Sequence, residues 1–333
     1  MKKIKDFLWK PEMTVEEMMD SFDSLGYQSS ELAEAVNVVL KMKQSGSKIF
    51  LTFTSNMVTS GLRGFFAQLC SFKIPNILVT TSGAIEEDIM KALGEDFKRV
   101  SFYSDDTKMH EQGENRIGNL AIKNESYMKF EDKMSEFLEE IYKKKQRLGV
   151  SELLKEIGLL LENTKGKENS LLYQAAKNKI PIYCPGIADS SFGFHLYMFQ
   201  EKHKDFIVDT IRDMKRICVK DLSFDDKKGL ISLGGSTSKH YAIFSALLSG
   251  GFDYAVYLTT SHSSSGSMSG ATTQEAKSWG KLKDDAEAAT VIGDVTITFP
   301  LMMVSVLDKM KKRSLLELNN SEKNENKHDE RNK

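Results

Sequence analysis

Between positions 275 and 281, the segment GATTQEAKSWGK (residues 270–281) gathers a carboxylate (Glu275), an indole (Trp279) and a primary amine (Lys281). That trio suits a lysine nucleophile. An amine beside an indole is partly desolvated, which disfavours the ammonium form and frees the lone pair that attacks an imine or carbonyl carbon. With 46 Lys and Arg in the chain, the default for any lysine is a solvated surface charge, so the motif draws its weight from its neighbours. A second pair of interest is Glu86 and Glu87 in TTSGAIEED. Two adjacent acids after a strand can hold a cationic amine by charge-assisted hydrogen bonds, or simply favour the first turn of a following helix through its dipole.

Positioning such groups requires a scaffold, and the chain alternates short apolar runs with longer helical patterns. The runs are KIFLTFT (48–54), NILVTT (76–81), IPIYCP (180–185), GLISLGG (229–235) and YAVYLTT (254–260). Alternation of this kind predicts an α/β fold: a Rossmann-like, doubly wound, largely parallel sheet with helices on both faces. Ahead of the first run, apolar positions at helical spacing across 14–43 predict an N-terminal helical segment of two helices, with Thr14 and Glu17 as a capping box. Each strand run ends in small or polar residues, as in TSNMVTSG, TTSGAIEED, PGIADSSFG, GGSTSKH and TTSHSSSGSMSG. In open α/β sheets the ligand crevice lies at the carboxyl ends of strands, where Gly and Ser loops opening helices present N–H groups to anions. Recurrence after five runs predicts one extended site. The charged segments FEDKMSEFLEEIYKKK and VSELLKEIGLLLENTKG, within 104–178, read as amphipathic helices covering the sheet.

Composition excludes several classes. With 40% hydrophobic and 28% charged residues, and a net charge of −1, the chain lacks the basic surplus that binds phosphate backbones, so nucleic acid is not expected as a partner. Cys70, Cys184 and Cys218 are odd in number and far apart, which predicts reduced, buried thiols and no metal site of CxxC type. The apolar run FPLMMVSVL (299–307) is too short to span a bilayer and the N-terminus lacks a signal-peptide core, so no membrane role and a cytoplasmic protein are expected. A single domain is expected over 1–318, followed by a polar tail (319–333) without aromatic or aliphatic residues that reads as disordered.

Taken in order, the motifs FTSNMVTSGLR (53–63), TTSGAIEEDIMKAL (80–93), KNKIPIYCPGIADSSFG (177–193), LGGSTSKHYAI (233–243), SGATTQEAKSWGKL (269–282) and IGDVTITFPL (292–301) resemble those of the deoxyhypusine synthase family. The resemblance runs from residue 14 to about 310, also through NRIGNL, NESYMKFED and DYAVYLTT. It implies an NAD-dependent transferase that moves the aminobutyl group of spermidine onto one lysine of translation initiation factor five-A, as a homotetramer with shared active sites. By the same resemblance Lys281 is the covalent imine carrier and His240, in SKHY, the base, a role that imidazole suits because its pKa lies near working pH. The implied cofactor contacts are Ser55, Asn56, Met57, Val58, Thr59, Thr81, Ser82, Gly83, Glu87, Asp189, Gly235, Thr260, Ser261, Asp294 and Val295. The implied amine contacts are Glu86, Glu87, His240, Glu275, Trp279 and Lys281.

The pattern departs from the family at three positions where eukaryotic members carry aspartates and this chain has Phe194, Ser265 and Met268. An ammonium buried without its partner costs on the order of several kcal/mol, so either other groups compensate or the amine differs. His262, in the same altered loop, cannot stand in for an aspartate. Two alternatives therefore stand beside the synthase: a related polyamine enzyme whose acceptor is a small amine such as putrescine, giving homospermidine, and a non-catalytic NAD-binding regulatory paralogue. Intact Lys281, His240 and Trp279 weigh against the last.

Overall fold

The computed structural model describes residues 2–316, so the tail read as disordered lies outside the described residues. The central sheet has six strands: β1 (Lys48–Thr52), β2 (Ile77–Val79), β3 (Ile182–Tyr183), β4 (Lys228–Leu233), β5 (Phe252–Thr259) and β6 (Leu282–Ile292). All neighbours are parallel, in the order β6-β5-β4-β1-β2-β3. This is the doubly wound order, whose direction of winding reverses between β1 and β4. At that reversal Thr52 pairs with Ser232 in register, and its Oγ1 donates to the Ser232 Oγ at 3.0 Å.

Strand periodicity builds two cores. Ile49, Leu51 and Phe53 join one buried cluster with Ile231, Leu233, Val256 and Leu258, whereas Phe50 joins a second with Leu230, Ala255 and Tyr257. Successive side chains point to opposite faces, and both faces are covered, so the strands are apolar on both sides. Helices Tyr27–Gln44 and Val295–Lys312 cover the first cluster, and helix Ser236–Leu247 the second. The expected N-terminal helices form over Val15–Phe22 and Tyr27–Gln44, and the capping box is closed: Glu17 N donates to Thr14 Oγ1 at 3.2 Å and Thr14 N to Glu17 Oε2 at 2.9 Å.

Three elements depart from the sequence reading. β6 is not among the five apolar runs; its opening LKDDAE carries four charges, and among the described residues it pairs only with β5, leaving Asp284, Asp285 and Glu287 exposed. Residues 98–123 hold a three-stranded antiparallel sheet in place of helix alone, with strands of two to four residues. Arg147–Gly149 and Ile207–Asp209 form a further parallel pair. The two amphipathic helices do form, over Asn124–Tyr142 and Val150–Leu160. Cys70 and Cys184 are buried free thiols, while Cys218 is only half-buried, against the expectation, and its Sγ lies 3.6 Å from Met214 Sδ. Among the described residues no helix is long and apolar enough to cross a membrane.

A buried ion pair ties the loop after β1 to the rest. Arg63, which opens helix Arg63–Ser71, donates Nε to Asp88 Oδ1 at 2.6 Å. Asp88 also accepts from Ser170 Oγ, Leu171 N and Leu172 N at 2.7 to 2.9 Å.

Candidate active site

At the carboxyl edge, where β1 and β4 diverge, a cavity of about 220 Å³ opens between the strand ends. Its walls include Asn56 and Met57 after β1, Gly235 after β4, Thr260 and Ser261 after β5, and Asp294 and Val295 after β6. Gly235 has no room for a side chain, since a Cβ there would lie 2.3 Å from the Cα of Ser269. Ser236, the next residue, is held at φ +61, a conformation seldom adopted away from glycine. Helix Ser236–Leu247 begins here with no side-chain cap, as does helix Ser82–Ala92 after β2. Uncapped N–H groups at helix starts face anions favourably, so the residues present fit the pyrophosphate of a dinucleotide. Asp294 is a different case, a cap that accepts from Thr296 N at 2.8 Å.

Lys281 stands at the opening of β6. Helix Thr273–Ser278 ends at Trp279, Gly280 turns the chain at φ +66, and Lys281 O then accepts from Phe252 N at 3.0 Å, starting the β5–β6 ladder. The turn folds the indole back over the amine, with Lys281 Nζ 5.0 Å from the ring centroid. As a result Lys281 is 8% exposed while Trp279, its cover, is 65% exposed. Around the amine is a cavity of about 240 Å³ lined by His240, Ile243, Tyr257, Met268, Glu275 and others. His240 lies near-parallel to Phe244, their ring centroids 6.0 Å apart. Partial burial, and then the charge of Lys281, hold the imidazole below the ordinary histidine range, so it is uncharged at neutral pH and can accept a proton.

The family model of deoxyhypusine synthase matches residues 17–306 of the chain. The chain belongs to the deoxyhypusine synthase family. A probable deoxyhypusine synthase of Thermoplasma volcanium is 37% identical over 309 residues, covering 92% of this chain and 97% of its own. Another, of Aeropyrum pernix, is 36% identical over 311 residues, covering 92% and 99%. Among solved structures, a candidate deoxyhypusine synthase of Entamoeba histolytica matches with a TM-score of 0.63 at 26% identity, over 91% of this chain and 96% of that one. AgrE, solved as a ternary complex with ornithine and NAD+, matches with a TM-score of 0.52 at 12% identity over 86% of this chain and 34% of its own, a likeness of fold alone.

Within this deoxyhypusine synthase family member the expected residues fall into three groups. Asn56, Met57, Gly235, Thr260, Ser261, Asp294 and Val295 share the crevice cavity. His240, Glu275, Trp279 and Lys281 share the amine cavity. The rest gather around helix Ser82–Ala92: Ser55 N donates to Thr81 Oγ1 at 3.1 Å, a Cβ on Gly83 would lie 2.9 Å from Ser55 Cβ, and Ser82 Oγ donates to Asp189 O at 3.0 Å. Val58 is buried beside them, and Thr59 Oγ1 donates to Glu87 Oε2 at 2.6 Å. Glu86 accepts from Phe192 N at 2.7 Å. Both acids are buried; desolvation raises Glu86, and lifts Glu87 to about 7. Neither lines the Lys281 cavity of the same chain.

Of the three altered positions, only Met268 lines that cavity. Phe194 and Ser265 are exposed elsewhere. The sequence reading missed Thr54, Gly234, Ser236 and Ser269 in the crevice, and Lys239 and Tyr257 beside Lys281. Lys239 had a signal: it takes the i position of an i, i+3, i+4, i+7 apolar face completed by Ala242, Ile243 and Ala246, all buried.

Proposed function

We propose that this protein is an NAD-dependent aminoalkyl transferase that carries the butylamine group of spermidine on Lys281 and delivers it to a lysine of translation initiation factor five-A. The observation that carries this reading is an amine 8% exposed, roofed by Trp279, in one cavity with the imidazole of His240, whose pKa burial and the Lys281 charge lower. Bound NAD would supply a hydride acceptor that returns the hydride at the last step. The carbon beside the secondary amine of spermidine loses hydride and the nitrogen loses a proton, which leaves an imine; His240 is suited to take that proton. Lys281 passes a proton to the imine nitrogen and its freed Nζ adds to the imine carbon; the bond to the departing nitrogen breaks, and diaminopropane leaves carrying that proton. The acceptor lysine then adds to the new imine, displaces Lys281, and the resulting imine is reduced. Glu275, in the same cavity, can hold the free ammonium end.

Residues for the cofactor come from the crevice, and Asn56, Gly235, Thr260, Ser261 and Asp294 would hold it there. A cavity of about 220 Å³ encloses only part of a dinucleotide, whose remainder would follow Thr81–Gly83 and Asp189. A homotetramer belongs to the same reading, supported by exposed Phe244 and Trp279 at the amine cavity. Gly235→Ala tests the cofactor assignment. Its methyl group would drive Ser269 away and reshape the crevice wall, at roughly 1–3 kcal/mol to the fold, and NAD affinity is expected to fall by about tenfold or more. Calorimetric titration with NAD measures it, and wild-type affinity in that variant would count against the site.

The deciding experiment is chemical trapping. Incubation of the protein with NAD and spermidine, followed by borohydride, is expected to leave a butylamine adduct on the peptide containing Lys281. No adduct with any polyamine, in folded protein, overturns the proposal. One observation favours a second reading: where eukaryotic members carry an aspartate, Met268 lines the Lys281 cavity, so Glu275 is the carboxylate left there. That lining suits an amine with fewer charges and a small acceptor such as putrescine, giving homospermidine. Parallel assays with putrescine and with the factor separate the two.

A further inference from the structure

One stretch of chain, residues 266–272, separates the two cavities. It turns Ser269 toward the crevice, against Gly235, and Met268, Ala271 and Thr272 toward Lys281. This wall has no helix or strand of its own and follows a left-handed turn at Gly266, φ +66. Reaching into it from helix Ser236–Leu247 is Lys239, 1% exposed. Its Nζ donates to Met268 O at 3.1 Å and Ala271 O at 2.8 Å, and stands 3.9 Å from the centroid of the Tyr257 ring. A buried ammonium answered by two carbonyls and a ring is costly, and a methionine would fill the same space without that cost. The amine is therefore spent on the wall.

We propose that Lys239 is a positioning residue: its ammonium ties the Met268 and Ala271 carbonyls to helix Ser236–Leu247 and so fixes the wall shared by the crevice and the Lys281 cavity. The inference rests on the proposed function only for what the two cavities hold. Burial, with a smaller contribution from the charge of Lys281 and opposed by Glu275, brings the Lys239 amine down to about 8. The other titratable groups facing it are Tyr257 on β5 and His240 on its own helix, the first held neutral and the second uncharged by burial. Between about pH 8 and the ordinary lysine range an opened, hydrated Lys239 takes up a proton that the closed wall does not hold. Closure is therefore favoured as pH rises past about 8, with the neutral amine still able to donate to both carbonyls.

Amide hydrogen exchange on the full chain, read by mass spectrometry on peptides covering 266–272 and 27–44, tests this. Lys239→Met is expected to speed exchange across 266–272 on the order of tenfold or more and to leave 27–44 within about twofold, since two hydrogen bonds from a charged donor are lost locally. Lys239→Gln keeps two donors without the charge and is expected to fall between. In wild type, exchange in 266–272, corrected for base catalysis, falls severalfold from pH 7 to 9 with the change setting in near 8, a fall missing from the Gln variant. Wild-type exchange in both variants overturns the proposal, and so does a flat corrected profile in wild type if neither variant folds. NAD titration runs in parallel; failure of NAD to bind wild type sinks the proposed function while the exchange result still judges Lys239.

Discussion

Replacing Lys281 with arginine removes the borohydride-trapped adduct, with transfer falling on the order of 10⁴-fold or more, as expected when a covalent nucleophile is lost. The guanidinium stays protonated and has no free lone pair with which to add to an imine, while its length and charge keep the cavity filled. NAD affinity is expected to stay within a few-fold of wild type, because Lys281 lines the amine cavity and none of the crevice. Peptide mapping makes the experiment decisive. Lys239 is the second amine of that cavity, so an adduct that persists in the arginine variant and maps to Lys239 would transfer the carrier role there and overturn the assignment to Lys281.

Why the Lys281 turn is legible and its surroundings are not follows from where each signal resides. The WGK turn is local: helix end, Gly280 and strand start are consecutive, so sequence alone brings Trp279 onto Lys281. The five apolar runs are legible for the same reason, and their alternation separates Phe50 from Ile49 and Leu51 between the two cores. β6 escaped because an edge strand needs only one apolar face, and its acids satisfy solvent on the other. The fate of Glu86 and Glu87 is non-local. Their partners, Phe192 N and Thr59 Oγ1, are 106 and 28 residues away, and no spacing rule connects them. In place of a bare carboxylate pair waiting for an amine, the fold gives two buried acids with protein donors, in a different neighbourhood from the Lys281 cavity. Lys239 was readable from its helical face but was passed over because a lysine is presumed solvated.

Removal of Asp88 is expected to be the most damaging single change outside the site. The carboxylate is 0% exposed and each oxygen is fully used: Oδ1 accepts from Arg63 Nε at 2.6 Å and Leu171 N at 2.9 Å, Oδ2 from Ser170 Oγ at 2.7 Å and Leu172 N at 2.9 Å. Asp88→Ala leaves the buried Arg63 guanidinium unpaired, and breaking one partner of a buried pair costs about 3–5 kcal/mol. It also strips the N–H groups that open helix Leu171–Lys177 of their acceptor. Urea unfolding should show the midpoint lowered with the slope unchanged. Arg63→Met combined with Asp88→Ala should cost less than the sum of the single losses, by roughly 0.5–3 kcal/mol, because the second change removes the stranded charge. Additive losses would mean that the pair is not the source of the effect. Since Arg63 directly follows the Ser55–Leu62 segment, whose Gly61 sits at φ +108, slack at Asp88 passes to the crevice loop holding Asn56 and Met57. A weakened NAD titration in Asp88→Ala, measured below the unfolding transition, would therefore trace the link from a buried ion pair, through one helix start, to the crevice.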